Sequence, residues 1–216
     1  EPTENPNASK PRYIWIDAAA NFPDFANSKE NIARDLALAK DAGFTDIVVD
    51  VRPTTGDVLF KTNIVDQVKF MYAWIGSNYT KVERTATWDY LQAFVDEARK
   101  QGLRIHAAIN TFVGGNQIDG GTGLLYRDQS KAEWATQMNM QTGIVSVMNT
   151  SESTKFFNPA HPEVQTFLCD LLKDLASYDL DGIFLDRGRF LNLQTDFSEE
   201  SRKQFEEYMG GIRIQN

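Results

Sequence analysis

The chain has 216 residues, 42% of them hydrophobic and 12% aromatic, which suits one globular domain, or most of one, and is too apolar for a disordered chain. Its 22 Lys and Arg stand against 30 Asp and Glu, a net charge of −8 that makes nucleic acid a poor partner. No apolar run approaches the roughly 20 residues that span a bilayer, so membrane-embedded readings are excluded.

Residues Glu1 to Pro11 are polar and rich in Pro and Asn, and read as a flexible leader. Beyond them, four short apolar segments rich in β-branched or aromatic residues predict strands: Tyr13 to Asp17, Ile47 to Arg52, Ile105 to Asn110 and Gly182 to Asp186. A helical pattern follows each after a loop, which predicts βα units and a parallel sheet. Their continuous apolar character predicts strands covered on both faces, with Trp15 in the core.

The first helix is expected over Lys29 to Ala42, with Ser28 as its cap and Gly43 as its stop. The second is expected over Trp88 to Gln101, capped near Thr87 and stopped by Gly102, with Leu91, Phe94, Val95 and Ala98 inward. A third starts at Pro162 and buries Val164, Phe167, Leu168, Leu171, Leu172 and Leu175, with Cys169 read as a small core residue of the same pattern. Ser198 caps a fourth, for which Phe205 and Tyr208 are the expected anchors. With one cysteine there is no internal disulfide. His106 and His161 lie far apart in sequence, which argues against a zinc site; His106 reads as a core histidine and His161 as a capping residue.

Two long connections, Pro53 to Thr87 and Thr111 to Ala160, each follow the C-terminal end of a strand, where parallel α/β folds place their ligand sites. Gly114-Gly115 and Gly120-Gly121-Thr122-Gly123 in the second read as flexible turns without the spacing of a dinucleotide fingerprint. Met138, Met140 and Met148 read as packing beneath a lid. Four βα units fill the chain, whereas a closed eight-stranded barrel takes about 250 residues. The expectation is therefore a small open sheet or half of a barrel.

The stretch from Phe157-Asn158-Pro159-Ala160-His161-Pro162-Glu163-Val164 to Tyr178-Asp179-Leu180-Asp181-Gly182-Ile183-Phe184-Leu185-Asp186 resembles the signature of the glycosyl-hydrolase-like family 10. Val51 to Phe60 resembles that family's second strand and loop, and Asp96 to Ala107 its second helix and third strand. The likeness extends over about residues 12 to 210. It implies a (β/α)8 barrel of the α-amylase type continuing past residue 216, with residues 12–216 as its N-terminal part. It also implies a bacterial, exported glycoside hydrolase, placed in the periplasm, cell envelope or medium. Family members often carry two acidic residues in succession where this chain has Asp186-Arg187.

Glycosidic cleavage needs two carboxyl groups flanking the bond. Asp186, at the C-terminal end of its strand, is the candidate nucleophile or charge-stabilising carboxylate; the alternative is a structural Asp capping a loop or pairing with Arg187 or Arg52. Asp17, Arg52, Asn110 and Arg187 are candidate substrate contacts. For Arg52 the two readings are a bidentate contact to a sugar hydroxyl or carboxylate and an internal ion pair with Asp50 or Asp186. Asn110 serves equally to satisfy the loop backbone, and Asp17 reads as a loop anchor before a ligand. None of Asp17, Asp50 and Asp57 stands out as the general acid, which the resemblance places after the fifth strand, so this chain alone is expected to turn over little or nothing. Of the loop aromatics Phe22, Phe25, Trp74, Tyr79, Phe112, Tyr126 and Trp134, about two are expected to line a cleft.

The substrate implied is a polysaccharide or bacterial cell-wall glycan; no cofactor is implied. A second class is a non-catalytic carbohydrate-binding barrel or scaffold. A third places Asp17, Asp50 and Asp186 around Mg²⁺. Half a barrel also exposes two strand edges, which predicts self-association or a partner supplying the missing half.

Overall fold

A computed structural model describes residues 10–214. Most of the expected leader therefore lies outside the described residues; Lys10 and Pro11 are exposed. In chain order the elements begin with β1 (Tyr13–Ile16), a single turn α1 (Phe22–Phe25), α2 (Lys29–Asp41), β2 (Asp46–Arg52), β3 (Phe70–Ile75) and β4 (Asn78–Glu83). They continue with α3 (Tyr90–Gln101), β5 (Arg104–Asn110), β6 (Val113–Asn116), α4 (Leu124–Arg127), β7 (Gln137–Met140) and β8 (Gly143–Ser146). The last are β9 (Thr154–Phe156), α5 (Pro162–Leu175), β10 (Gly182–Asp186) and α6 (Glu199–Tyr208).

All four predicted strands form, and they pair in parallel in the order β1-β2-β5-β10. This order follows the chain with no reversal, as in a barrel; a doubly wound sheet has a switch point. Residues at alternate positions face opposite ways. Ile47, Val49, Val51, Ile105, Ala107 and Ile109 face the helices and share one buried cluster with Ile32 and Leu36 of α2, Leu91 and Phe94 of α3, and Phe167 and Leu171 of α5.

The other face is covered only over the two central strands. Val48 and Ala108 are each 1% exposed, but Tyr13 is 48% and Trp15 43% exposed. The expected core position of Trp15 and the two-sided cover of the outer strands are thus corrected, because no second layer lies over this face among the described residues. The rings there show the curvature of the sheet. Flat strands three positions apart are separated by about 14 Å, yet Phe184 of β10 lies 6.1 Å from Tyr13 and 5.8 Å from Trp15 of β1. The sheet curls so that its edges converge over small residues, as a barrel wall does.

Helix ends follow local chemistry. Ser28 accepts the Asn31 N–H at 3.1 Å and opens α2. α3 starts two residues later than expected, because Asp89 is its cap, accepting the Gln92 N–H at 3.1 Å; it stops at Gly102, whose φ is 65°. His161 caps α5 through Nδ1. Cys169 is exposed, not in the core: it falls on the outer side of α5 while Leu168 and Leu171 point in. Phe205 and Tyr208 do not anchor α6; they are 50% and 86% exposed.

The first long connection holds the antiparallel β3–β4 hairpin, and the second holds the β6–β9 and β7–β8 pairs. Met138 packs in the core beneath them, with Met140 and Met148 against it. Gly114, Gly115, Gly121 and Gly123 are points of close approach, whereas Gly120 has open space around it. A methyl group on Gly123 would sit 2.5 Å from Gly115 Cα and 2.7 Å from the Thr55 carbonyl oxygen, and φ there is +82°.

His106 is a core histidine, as expected, 8% exposed, with Nε2 2.8 Å from Asp46 Oδ1. Burial pushes the Asp46 carboxyl up, but hydrogen bonds from Arg104, Thr45 and His106 outweigh it and hold the group at about 2. A depressed carboxyl contributes stability that is complete above the ordinary carboxylate range and is lost as pH falls from about 4 towards 2. Wild type is therefore expected to unfold in acid with a steeper loss across that window than Asp46→Asn, as measured by thermal midpoints against pH.

Candidate active site

The C-terminal ends of the four parallel strands carry Asp17, Asp50, Asn110 and Asp186. Parity puts them on the concave face, since Asp186 pairs in register with Asn110 and Asp50 with Ala108. Curling of the sheet brings the two ends close enough that the charges of Asp17 and Asp186 both act on Asp50.

Each group is held differently. Asp17, one residue past β1, accepts the backbone N–H of Ala19 at 2.8 Å and of Ala20 at 2.7 Å through one oxygen. It anchors the loop and is exposed. Asn110, 5% exposed, donates to the Arg52 carbonyl at 2.9 Å and to Asp50 at 3.4 Å. Asp186 is exposed, and one oxygen accepts the Arg187 N–H at 2.7 Å. Arg187 takes a left-handed backbone, φ 47°, a strained conformation for a residue with a side chain. Among the described residues no carboxylate pairs with its guanidinium.

Arg52 departs from both of its sequence readings. It is fully buried and donates to the carbonyls of Asn110, Thr111 and Val113, the first and last at 2.5 Å. Its guanidinium is neither presented to a substrate nor paired with Asp50 or Asp186. A β-bulge at β2 between Asp50 and Arg52 turns the side chain beneath the chain that leaves β5. Burial pushes its pKa down to about 10 against the pull of Asp57 and Asp50. Asp57 itself is paired with Arg127, 2.5 Å away, although burial outweighs that pairing and raises its carboxyl.

Asp50 is the group that sequence reasoning undervalued. It is 7% exposed, and burial drives its carboxyl up to about 7, with Asp17 and Asp186 adding to the effect against the stabilising N–H of Arg52. It therefore holds a proton near neutrality. Tyr90 is 1% exposed at the start of α3; its hydroxyl has no hydrogen-bond partner, and burial with the Asp50 charge raises its pKa. No sequence signal separates it from a packing aromatic.

Because the Asp50 carboxyl is raised, the native state keeps a proton between pH 4 and 7 that the unfolded chain has released, and stability falls as pH rises through that window. Asp50→Asn is expected to match wild type near pH 4 and to exceed it in thermal midpoint at pH 8. A wild type that gains stability over that range relative to Asp50→Asn would overturn the assignment. Among the described residues no group of three His, Cys, Asp or Glu side chains is arranged to hold a metal ion. The trio of Asp17, Asp50 and Asp186 thus gives the Mg²⁺ reading no support.

The family motifs frame this face. Arg99 of α3 grips Asp179 at 2.8 Å and Asp181 at 2.7 Å, and Asp181 also accepts the Ile105 N–H. The Tyr178 hydroxyl donates to Asp89 at the start of α3. These contacts lock the entry to β10 against its neighbours and so set where Asp186 falls. Of the loop aromatics, Phe22, Phe25 and Trp134 are buried, Tyr79 lines a cleft, and Trp74 stands exposed beside it.

Comparison with known proteins agrees with this frame. The S-layer-related protein of Niallia circulans is 31% identical over 211 residues, covering 94% of this chain and 13% of that protein. An α-L-fucosidase of Paenibacillus thiaminolyticus superposes with a TM-score of 0.59 at 18% identity, covering 94% of this chain and 26% of the other. A family 36 α-galactosidase of Geobacillus stearothermophilus gives 0.55 at 14% identity, covering 94% and 25%. The chain thus spans a small share of each. At these identities the solved structures establish the fold, which is part of a (β/α)8 barrel. The family model for glycosyl hydrolase-like 10 matches residues 10–210. This chain belongs to the glycosyl hydrolase-like 10 family.

Proposed function

We propose that this chain is the N-terminal part of a glycoside hydrolase acting on a polysaccharide or bacterial cell-wall glycan, with Asp186 as nucleophile or charge-stabilising carboxylate. The observation that carries the reading is the exposed Asp186 carboxylate at a strand C-terminus, on the concave face shared with Asp17 and the proton-holding Asp50. Barrel hydrolases place their chemistry at that end. Asp17, Asn110 and Arg187 are the substrate contacts of this reading, while Arg52 braces the loop beneath. The general acid is expected beyond the fourth strand. Similarity to an S-layer-related protein supports a place at the cell envelope.

The test is hydrolysis of a panel of polysaccharides and cell-wall glycan by this chain beside a form extended through the rest of the barrel. Cleavage by the extended form alone is expected. Cleavage by both would put the second carboxyl within this chain, with Asp50 the first to substitute. If neither cleaves but sugars bind, the non-catalytic carbohydrate-binding reading replaces the hydrolase.

A further inference from the structure

The β3–β4 hairpin carries a strip of rings that the packing of the fold does not use. Strand alternation sends Met71 and Ala73 inward, where they are 6% and 3% exposed. Those two residues seat the hairpin. The opposite face presents Phe70, Tyr72 and Trp74 from one strand and Tyr79 from the other. Tyr72 stacks on Tyr79 at 5.3 Å with 30° between the planes, and Trp74 meets the same ring at 5.3 Å. Trp74 is 68% and Tyr79 56% exposed. Large rings fixed against one another in water form an exposed apolar patch of the kind that marks a binding site.

A cleft of about 340 Å³ runs along this strip, within the size range of small-molecule sites. Thr55, Asn116, Gln117 and Ser153 share its lining with Tyr72 and Tyr79. Thr55 is 6% exposed, and its hydroxyl has no hydrogen-bond partner. A buried hydroxyl left unpaired is costly, so a polar ligand atom that reaches it is favoured. At the rim Asp119 takes both Lys81, at 2.5 Å, and the Tyr72 hydroxyl, at 2.9 Å, so these two charges offset each other. Rings for the apolar face of a pyranose, and amides and hydroxyls for its edge with no unpaired charge in the lining, fit a neutral sugar better than an anion or a basic peptide.

The cleft borders the loops that leave β1 and β2. Its far wall includes Ala19, whose N–H is bonded to Asp17, and Thr54, two residues after Arg52. We infer that the β3–β4 hairpin and this cleft form a subsite for a neutral polysaccharide chain, with Tyr72, Trp74 and Tyr79 as the stacking platform and Thr55, Asn116 and Gln117 as its hydrogen-bonding edge. The inference rests on the carbohydrate reading of the strand ends and extends it to a polymeric, uncharged substrate held on both sides of the first loop.

The test is affinity electrophoresis in native gels, each containing one soluble polymer: mixed-linkage β-glucan, glucomannan, arabinoxylan, galactan, glycol chitin or anionic polygalacturonate. Reducing-end release is measured on the same polymers with the barrel-extended form. Retardation by at least one neutral polymer is expected. Trp74→Ala and Tyr79→Ala, both at exposed positions, are expected to weaken it about tenfold each, on the scale of one lost aromatic contact. Asp186→Asn should retain it. Retardation that survives both aromatic substitutions and disappears in Asp186→Asn would overturn the subsite and leave the hydrolase reading standing. Binding that depends on Trp74 and Tyr79 without any reducing-end release would do the reverse. No retardation by any neutral polymer, or rings that matter only to self-association in gel filtration, overturns the subsite whatever the hydrolysis result.

Discussion

Asp186→Asn is expected to lower hydrolysis by the barrel-extended form about a thousandfold or more, equivalent to roughly 4 kcal/mol of transition-state stabilisation. The loss is expected in kcat, with the thermal midpoint unchanged within a degree or two. That separation follows from its contacts. The side chain is exposed and accepts one hydrogen bond, from the N–H of the next residue, which an Asn carboxamide oxygen also accepts. No core hydrogen bond depends on its side chain, and its charge reaches the core only as a minor influence on Asp50. A kcat that stays within a few-fold of wild type would remove Asp186 from the chemistry and leave it a loop residue. Measurement of kcat and KM on whichever polymer the panel identifies, beside a melting curve, decides between these.

Arg52→Met is expected to do the opposite, costing about 3 kcal/mol of stability as read from the urea midpoint. Methionine has nearly the length of the arginine stem but no donor. The carbonyls of Asn110, Thr111 and Val113 would lose the guanidinium, and those residues are 5%, 5% and 0% exposed, so water reaches them poorly. Removing a buried charge offsets part of that cost, which is why the figure stays below the sum of three orphaned acceptors. Activity should fall through disorder of the chain leaving β5. A variant with an unchanged urea midpoint and a raised KM would instead restore Arg52 as a substrate contact.

Arg52 and Asp186 show what kind of information the sequence holds. Both lie at strand C-termini and both read as site residues. The four strands of the parallel sheet, though not the short pairs in the long connections, were legible almost to the residue, because runs such as Ile47-Val-Val-Asp-Val and Ile105-His-Ala-Ala-Ile have sharp polar or glycine boundaries. Helix starts were legible where one strong cap stood alone, as at Ser28 and Ser198. The start of α3 was misplaced because Thr87 and Asp89 compete, and the aspartate wins. Cys169 was misplaced because a pattern of Leu on both sides hides which side turns outward.

The pairing of Arg52 with carbonyls was not legible, since it depends on a bulge and on chain 58 to 61 residues away. Nor was the closeness of Tyr13 and Trp15 to Phe184, which needs the curl of four strands. The glycines of the second loop illustrate the same point. Their spacing excluded a nucleotide motif, but only the approach of Thr55 and Gly115 explains why Gly123 carries no side chain.

By itself the sequence determined the βα order, the parallel sheet, the family motifs and the presence of carboxylates at strand ends, because each is written in local periodicity and spacing. Tertiary structure alone decided which of these carboxyls is desolvated and so holds a proton near neutrality. Asp50 and Asp186 are the same residue type near equivalent ends of two strands, yet β2 is central and β10 is the outer strand of the sheet. Neighbours on both sides remove water from Asp50 and push its carboxyl up to about 7, whereas Asp186, on the outer strand, keeps its water. Desolvation depends on what packs nearby, and that is a property of the folded chain.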